Sequence, residues 1–189
     1  EQAQIAREYP LTIYVNGDEF ATLVCTPSDL EEMVVGFLAS EGIIRFYHEI
    51  NEINIDADQG LAYVELTHQS IQHKDFYAKR FIGSCCGKSR QSFYFYNDVR
   101  TAKTIRTAPT ITVQSCFALM EALQNQSKTF QSTGGVHNAA LCSEDQILTL
   151  RTDIGRHNAL DKLYGNILMS GMGTADKIIA FSGRISSEV

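Results

Sequence analysis

No apolar run in this 189-residue chain approaches the ~18 residues that a membrane-crossing helix needs, so no bilayer span is expected. Basic charge is scarce too. Sixteen Lys and Arg against 22 Asp and Glu leave a net charge of −6, with an isoelectric point near 5.3. That balance argues against wholesale binding of nucleic acid or an anionic membrane and leaves room only for local basic patches. Internal repeats and low-complexity tracts are lacking. Cysteine is neither abundant nor even in number: Cys25, Cys85, Cys86, Cys116 and Cys142 form an odd set without the spacing of a disulfide framework. With no signal peptide read before them, a reducing cytoplasm is the expected compartment. A second cysteine pair, which a structural zinc site needs in addition to a first pair spaced by roughly two to four residues, is also missing.

What is present is an adjacent pair, Cys85 and Cys86, set among Gly83, Ser84, Gly87, Lys88 and Arg90. A thiol reacts as its thiolate, and cationic neighbours such as Lys88 and Arg90 favour that form. The glycines leave the backbone open to a partner. Direct neighbours make a poor disulfide, because one peptide bond holds their Cα atoms closer than ordinary bridge geometry prefers. One cysteine is expected to react while the other assists. The competing reading, two small apolar core residues, fits poorly with this polar setting. Cys25, Cys116 and Cys142 lie among apolar residues and read as packing, and His48, His68 and His73 read as surface residues.

With 44% hydrophobic residues the chain can bury a substantial core, as one domain or two small ones. It starts at Glu1 and stops at Val189 just after an expected strand and helix start, so it reads as a fragment cut chiefly at the C-terminus. Leu11 to Val15 and Phe20 to Cys25 read as a hairpin across Asn16-Gly17-Asp18-Glu19. Ser28 and Glu31 suggest a capping box for a helix carrying Met33, Val34, Phe37 and Leu38, stopped by Gly42. Glu49 to Ile55 and Leu61 to Thr67 suggest a second hairpin. From His68 to Pro109 the pattern fades, apart from an alternating run at Phe93 to Tyr96; such stretches tend to be functional or mobile. Beyond it, Ile111 to Leu123 reads as an amphipathic helix, Val136 to Cys142 and Gln146 to Arg151 as strands, Asn158 to Met169 as a helix and Lys177 to Phe181 as a strand. Strand, helix, strand implies a βαβ crossover and a parallel pair. The expected class is α/β, with an α+β part over 1–80, a mobile cysteine loop over 81–109 and an α/β part over 110–189.

Three polar segments fall at the ends of these elements, where α/β sheets bind ligands. In Thr133-Gly134-Gly135-Val136-His137-Asn138 the glycines allow close approach of a phosphate or pterin and His137 can donate, accept or ligate; an ordinary turn with a structural histidine competes. Arg151-Thr152-Asp153-Ile154-Gly155-Arg156-His157-Asn158 enters a helix, whose N-terminus attracts anions, with Arg156 and His157 as added donors. Asp153 caps or orients them. Phe181-Ser182-Gly183-Arg184-Ile185-Ser186-Ser187 offers small residues, an Arg and a helix start as a phosphate grip, against a plain strand-to-helix loop.

Taken together, Gly83-Ser84-Cys85-Cys86-Gly87-Lys88, Thr133 to Ala140, Asp153 to Lys162 and Phe181-Ser182-Gly183-Arg184 resemble the formate dehydrogenase accessory (FdhD) family, in order and over nearly the whole chain. The resemblance implies a sulfurtransferase whose cysteine takes persulfide sulfur from a cysteine desulfurase and passes it to the molybdenum cofactor of formate dehydrogenase. It further implies binding of that cofactor, Mo-bis(molybdopterin guanine dinucleotide), a homodimer, and a cytidine-deaminase-like C-terminal domain of α/β/α build, truncated here. The cofactor's phosphates would meet Gly134, Gly135, His137, Asp153, Arg156, His157 and the segment Phe181, Ser182, Gly183, Arg184, Ile185 and Ser186, with no structural metal. Deaminase chemistry itself is not expected: H-x-E is missing at His157-Asn158-Ala159, and no cysteine follows Phe181. Many family members separate the two cysteines by two residues, whereas here they are adjacent. Cys86, directly before Gly87-Lys88, is the expected carrier, and Cys85 shuttles or protects. A cofactor-binding chaperone without a persulfide step is the alternative.

Overall fold

Asn16 and Gly17 take φ values of 51° and 84°, the left-handed pair that a two-residue hairpin turn requires. They join β1 (Tyr9–Val15) to β2 (Asp18–Cys25) in an antiparallel ladder. Alternation then fixes the faces: Tyr9, Leu11, Ile13 and Val15 point inward, while Thr12 and Tyr14 lie on the other face. The chain is seen here as a computed structural model that describes residues 4–68, 80–82 and 109–185.

After β2 comes α1 (Leu30–Ser40). The expected capping box at Ser28 does not form. Asp29 is the N-cap, in the left-handed region at φ 51° with no side-chain cap, and Ser28 Oγ lies instead 3.5 Å from Lys162 Nζ. Gly42, at φ 74°, ends the helix as expected. The second hairpin is present as β3 (Ile50–Asp56) and β4 (Leu61–Leu66). A short β5 (Arg80–Ile82), not legible in the pattern, runs parallel to β2. The sheet order is β3-β4-β1-β2-β5, and β4 lies parallel to β1. Its inner face buries Phe37, Met33 and Leu38 of α1 against Leu11, Ile13 and Leu23.

The second half builds on a three-stranded sheet. Here α2 (Val113–Gln126) starts two residues later than expected, capped by Thr112, whose Oγ1 accepts from Ser115 N at 3.0 Å. A short α3 (Lys128–Thr133) follows, which the sequence reading missed. Next come β6 (His137–Cys142), β7 (Ile147–Asp153), α4 (Arg156–Ser170) and β8 (Ile178–Phe181). The order is β7-β6-β8, with both outer strands antiparallel to β6. This corrects the expected parallel pair. The crossover from β7 through α4 to β8 does give two strands of one direction, but β6 lies between them. Leu119 and Leu123 of α2 pack on one face through Ala140 and Cys142. On the other, α4 packs with Leu163 and Ile167 against Ala139 and Leu141.

The two sheets meet through their helices, since α1 and α4 lie against each other. Gly36 and Gly165 make this possible: a Cβ on Gly36 would stand 1.8 Å from the carbonyl oxygen of Asp161, and one on Gly165 would stand 1.9 Å from that of Glu32. Glu32 of α1 pairs with Arg151 of β7 and also accepts from Asn166 Nδ2 at 3.0 Å. The chain is therefore α/β, layered as helix, sheet, two helices and sheet. No described helix is long and apolar enough to cross a membrane.

Candidate functional site

Antiparallel pairing brings the start of β6 to the ends of β7 and β8, so His137 faces Asp153 and Ala139 faces Phe181. All three polar segments singled out in the sequence therefore meet at one edge of the second sheet. The junction is stitched by short bonds. Asn138 N donates to Ser182 Oγ at 2.8 Å, and Ser182 N returns a bond to Asn138 O at 3.0 Å. Thr152 Oγ1 donates to Asn138 Oδ1 at 2.9 Å. Gly183 is closely covered here: a Cβ would lie 2.6 Å from the Phe181 ring, which would have to turn, and 3.2 Å from Arg156 Cβ.

At the start of α4, Gly155 is the N-cap and Arg156 the first helical residue. The helix dipole and Arg156 both place positive potential at this edge. Burial pushes the His137 imidazole below its ordinary value, and Arg156 pushes the same way against an upward pull from Asp153. Two buried donors at this edge, Asn138 Nδ2 and Arg156 Nε, have no hydrogen-bond partner among the described residues. Buried donors in that state cost free energy unless an acceptor reaches them. An oxygen-rich anion supplies such acceptors.

The other expected site residues fall in several places. Asp153 is wholly buried and its carboxylate is used internally: Oδ1 accepts from Gly155 N at 2.8 Å and Asn158 Nδ2 at 3.0 Å, while Oδ2 accepts from Thr26 N and Thr26 Oγ1, both at 2.8 Å. Lys162 Nζ completes the set 2.7 Å from Oδ2, with both side chains fully shielded from solvent. Asp153 therefore orients the turn before Arg156 and has no lone pair to offer a ligand. His157 points into the protein at 7% exposure. Gly134, at φ 62°, ends α3 and needs its conformational freedom, whereas a Cβ on Gly135 would meet Ala6 only at ordinary contact distance. Arg184 and Ile185 are exposed at the end of the described residues. Ser186, Cys85, Cys86, Lys88 and Arg90 lie outside the described residues, as does the run Phe93 to Tyr96.

The sequence reading missed Thr26 and the burial of Lys162. A signal for the latter existed: Asn158 and Lys162 stand four apart on the inward face of α4, where a lysine needs a buried partner. It also missed a cleft of about 490 Å³ with a mixed polar and apolar lining beside the glycine turn, between Gln4–Arg7, Thr26–Ser28 and α3.

Of the cysteines read as packing, Cys25 and Cys142 are buried but Cys116 is exposed on α2. Burial pushes the Cys25 thiol up to about 12 and also raises that of Cys142. Alkylation of the native protein is expected to modify Cys116 and to spare Cys25 and Cys142 until the chain unfolds. Peptide mapping after a timed iodoacetamide pulse checks this, and rapid native labelling of Cys25 would contradict the packing of β2 against Tyr9.

Comparison with known proteins places this geometry. The profile of the FdhD/NarQ family matches residues 6–189. A sulfur carrier protein FdhD of Halalkalibacterium halodurans is 65% identical over 187 residues, covering 98% of this chain and 69% of that protein. The Bacillus subtilis protein of the same name is 57% identical over 197 residues, covering 100% of this chain and 74% of the relative. A crystal structure from Desulfotalea psychrophila, assigned to a formate dehydrogenase accessory protein, superposes with a TM-score of 0.73 at 23% identity, over 98% of this chain and 69% of that one. At that identity the superposition speaks for the fold alone, while the sequence matches carry the kinship: the chain belongs to the FdhD/NarQ family.

Proposed function

We propose that the chain is a sulfur carrier in formate dehydrogenase maturation, taking persulfide sulfur from a cysteine desulfurase and delivering it to Mo-bis(molybdopterin guanine dinucleotide). Relatives at 65% and 59% identity are named sulfur carrier proteins, and the Cys85-Cys86 pair beside Lys88 and Arg90 supplies the thiol chemistry. In the loading step the Cys86 thiolate attacks the terminal sulfur of the donor's persulfide. The donor S–S bond breaks, and the donor cysteine leaves as a thiolate, so no external oxidant is needed. On delivery a reduced acceptor supplies the electron pair for its new bond to the sulfane sulfur and is oxidised by two electrons, while the S–S bond breaks and its pair returns to Cys86 as thiolate.

The observation that carries the acceptor half is the sheet edge where Asn138 Nδ2 and Arg156 Nε stand buried without partners among the described residues. Two unmatched donors, one of them the Arg156 guanidinium, at a helix N-terminus suit phosphate oxygens of a dinucleotide. His137, Ser182, Gly183 and Arg184 border the same edge, and the bare Gly183 lets Phe181 and Arg156 close on it. Asp153 contributes by holding the turn. The cofactor is here a substrate that the protein holds while sulfur is delivered.

Intact-mass spectrometry after incubation with a cysteine desulfurase and cysteine tests the reading. Wild type and Cys85→Ala are expected to gain one reducible sulfur, and Cys86→Ala is expected to gain none. If wild type gains nothing while a control acceptor does, the persulfide step fails and cofactor holding without sulfur transfer becomes the function.

A further inference from the structure

We propose that Thr26 is a positioning residue of the anion-holding edge, acting through Asp153 from the opposite half of the chain. The inference rests on the reading of that edge as the site for the cofactor's phosphates. Thr26 lies just beyond β2, 127 positions from Asp153, yet its backbone N–H and its hydroxyl both donate to Oδ2, each at 2.8 Å. The same hydroxyl accepts from Lys162 Nζ at 2.8 Å, and Lys162 also reaches Thr26 O at 3.1 Å. Hydroxyl, ammonium and carboxylate thus form a closed buried ring that fixes the rotation of the Asp153 carboxylate.

That rotation matters because Oδ1, the other oxygen, holds Gly155 N at 2.8 Å and Asn158 Nδ2 at 3.0 Å. Gly155 immediately precedes Arg156, whose buried Nε faces no partner among the described residues. A carboxylate free to turn releases Gly155, and Arg156 moves with it. Asn158 Nδ2 adds a second tether to the same strand end, donating to Val24 O at 2.8 Å. The first sheet is thus the scaffold against which the first turn of α4 is set, although Thr26 touches no ligand.

Thr26→Val removes the hydroxyl and keeps the branched shape, while Thr26→Ser keeps the hydroxyl. Guanosine diphosphate, which carries the guanosine and phosphates of the acceptor, serves as the calorimetric probe. Thr26→Val is expected to weaken its binding about tenfold, with Thr26→Ser within about twofold of wild type, and the Thr26→Val loss should fall below about twofold in an Arg156→Ala background because both act through one contact. A second readout needs no ligand. Burial and the nearness of Arg156 hold the His137 imidazole below its ordinary value against an upward pull from Asp153; with Lys162 still holding Asp153 Oδ2, displacement of Arg156 in Thr26→Val should move the His137 NMR titration upward. Should Thr26→Val fail to fold, Asn158→Ala, which cuts the second tether, carries the same measurements. Additive losses in the double variant, or an unmoved His137 titration in a folded variant, overturn the proposal. If wild type does not bind the probe, the phosphate-site reading is what fails, and the His137 titration still decides whether Thr26 sets Arg156.

Discussion

Lys162→Met is expected to cost about 3–5 kcal/mol of stability, the usual result of stranding a buried charge by deleting its partner. For a chain of this size that corresponds to a fall in melting temperature of roughly 6–20 °C. The reason lies in the completeness of the pair. Lys162 Nζ and Asp153 Oδ2 stand 2.7 Å apart with neither side chain exposed, and methionine fills the lysine's volume but offers no donor to the carboxylate. Thr26 N, Thr26 Oγ1, Gly155 N and Asn158 Nδ2 remain, four neutral donors around an uncompensated charge. Lys162→Met with Asp153→Asn removes both charges and should recover more than half of the loss, since the penalty belongs to the stranded ion and not to the missing attraction. Chemical denaturation of the two variants decides it. A single variant within about 1 kcal/mol of wild type, below the ordinary cost of a buried unpaired charge, would show that water reaches Asp153.

The same pair explains what the sequence could and could not reveal. Local signals translated well: Asn16-Gly17 demanded a tight hairpin, Gly42 stopped a helix, and the apolar spacing of Leu160, Leu163 and Leu168 identified α4, because each depends on neighbours a few residues away. Strand neighbours did not, being set by contacts distant in sequence. Nothing local says that β4 lies along β1 or that β6 inserts between β7 and β8. The capping box at Ser28 fails for a related reason, since Asp29 takes the cap while Ser28 lies beside a lysine far along the chain. At the site, the three polar segments were visible singly, and the fold brings them to one edge. The division of labour within them was not visible. Asp153 was legible both as a cap for its turn and as a residue meeting the cofactor, and only Thr26, arriving from the other half of the chain, decides for the first role, while His157 looked like an outward donor although its turn of α4 faces inward. Cys116 shares the helical stripe of buried Leu119 and Leu123, which is why it reads as packing, yet it is exposed together with Val113 and Phe117 near the start of α2, a matter of how far along the helix its cover extends, which spacing does not reveal.

Gly36→Ala is expected to reverse the sign of an ordinary glycine-to-alanine change. In an open helix alanine is favoured by about 1 kcal/mol over glycine. At Gly36 the new methyl would meet Asp161 O at 1.8 Å and Gly165 N at 2.9 Å. Both are backbone atoms of α4, so no side-chain rotation relieves the clash and the helices must part. Parting them loosens the Glu32 contacts to Arg151 and Asn166 and pulls on the buried ring of Thr26, Asp153 and Lys162. A net loss above ~3 kcal/mol follows, at the upper end for overpacking because the obstacle is main chain. Gly165→Ala should behave alike, its methyl lying 1.9 Å from Glu32 O, whereas Gly173→Ala, with nothing within 4 Å, should be tolerated. Thermal unfolding of the three variants gives the signs directly. Stabilisation by Gly36→Ala would mean that α1 and α4 stand farther apart than the two glycines allow, and with them the two halves that Thr26 joins at Asp153.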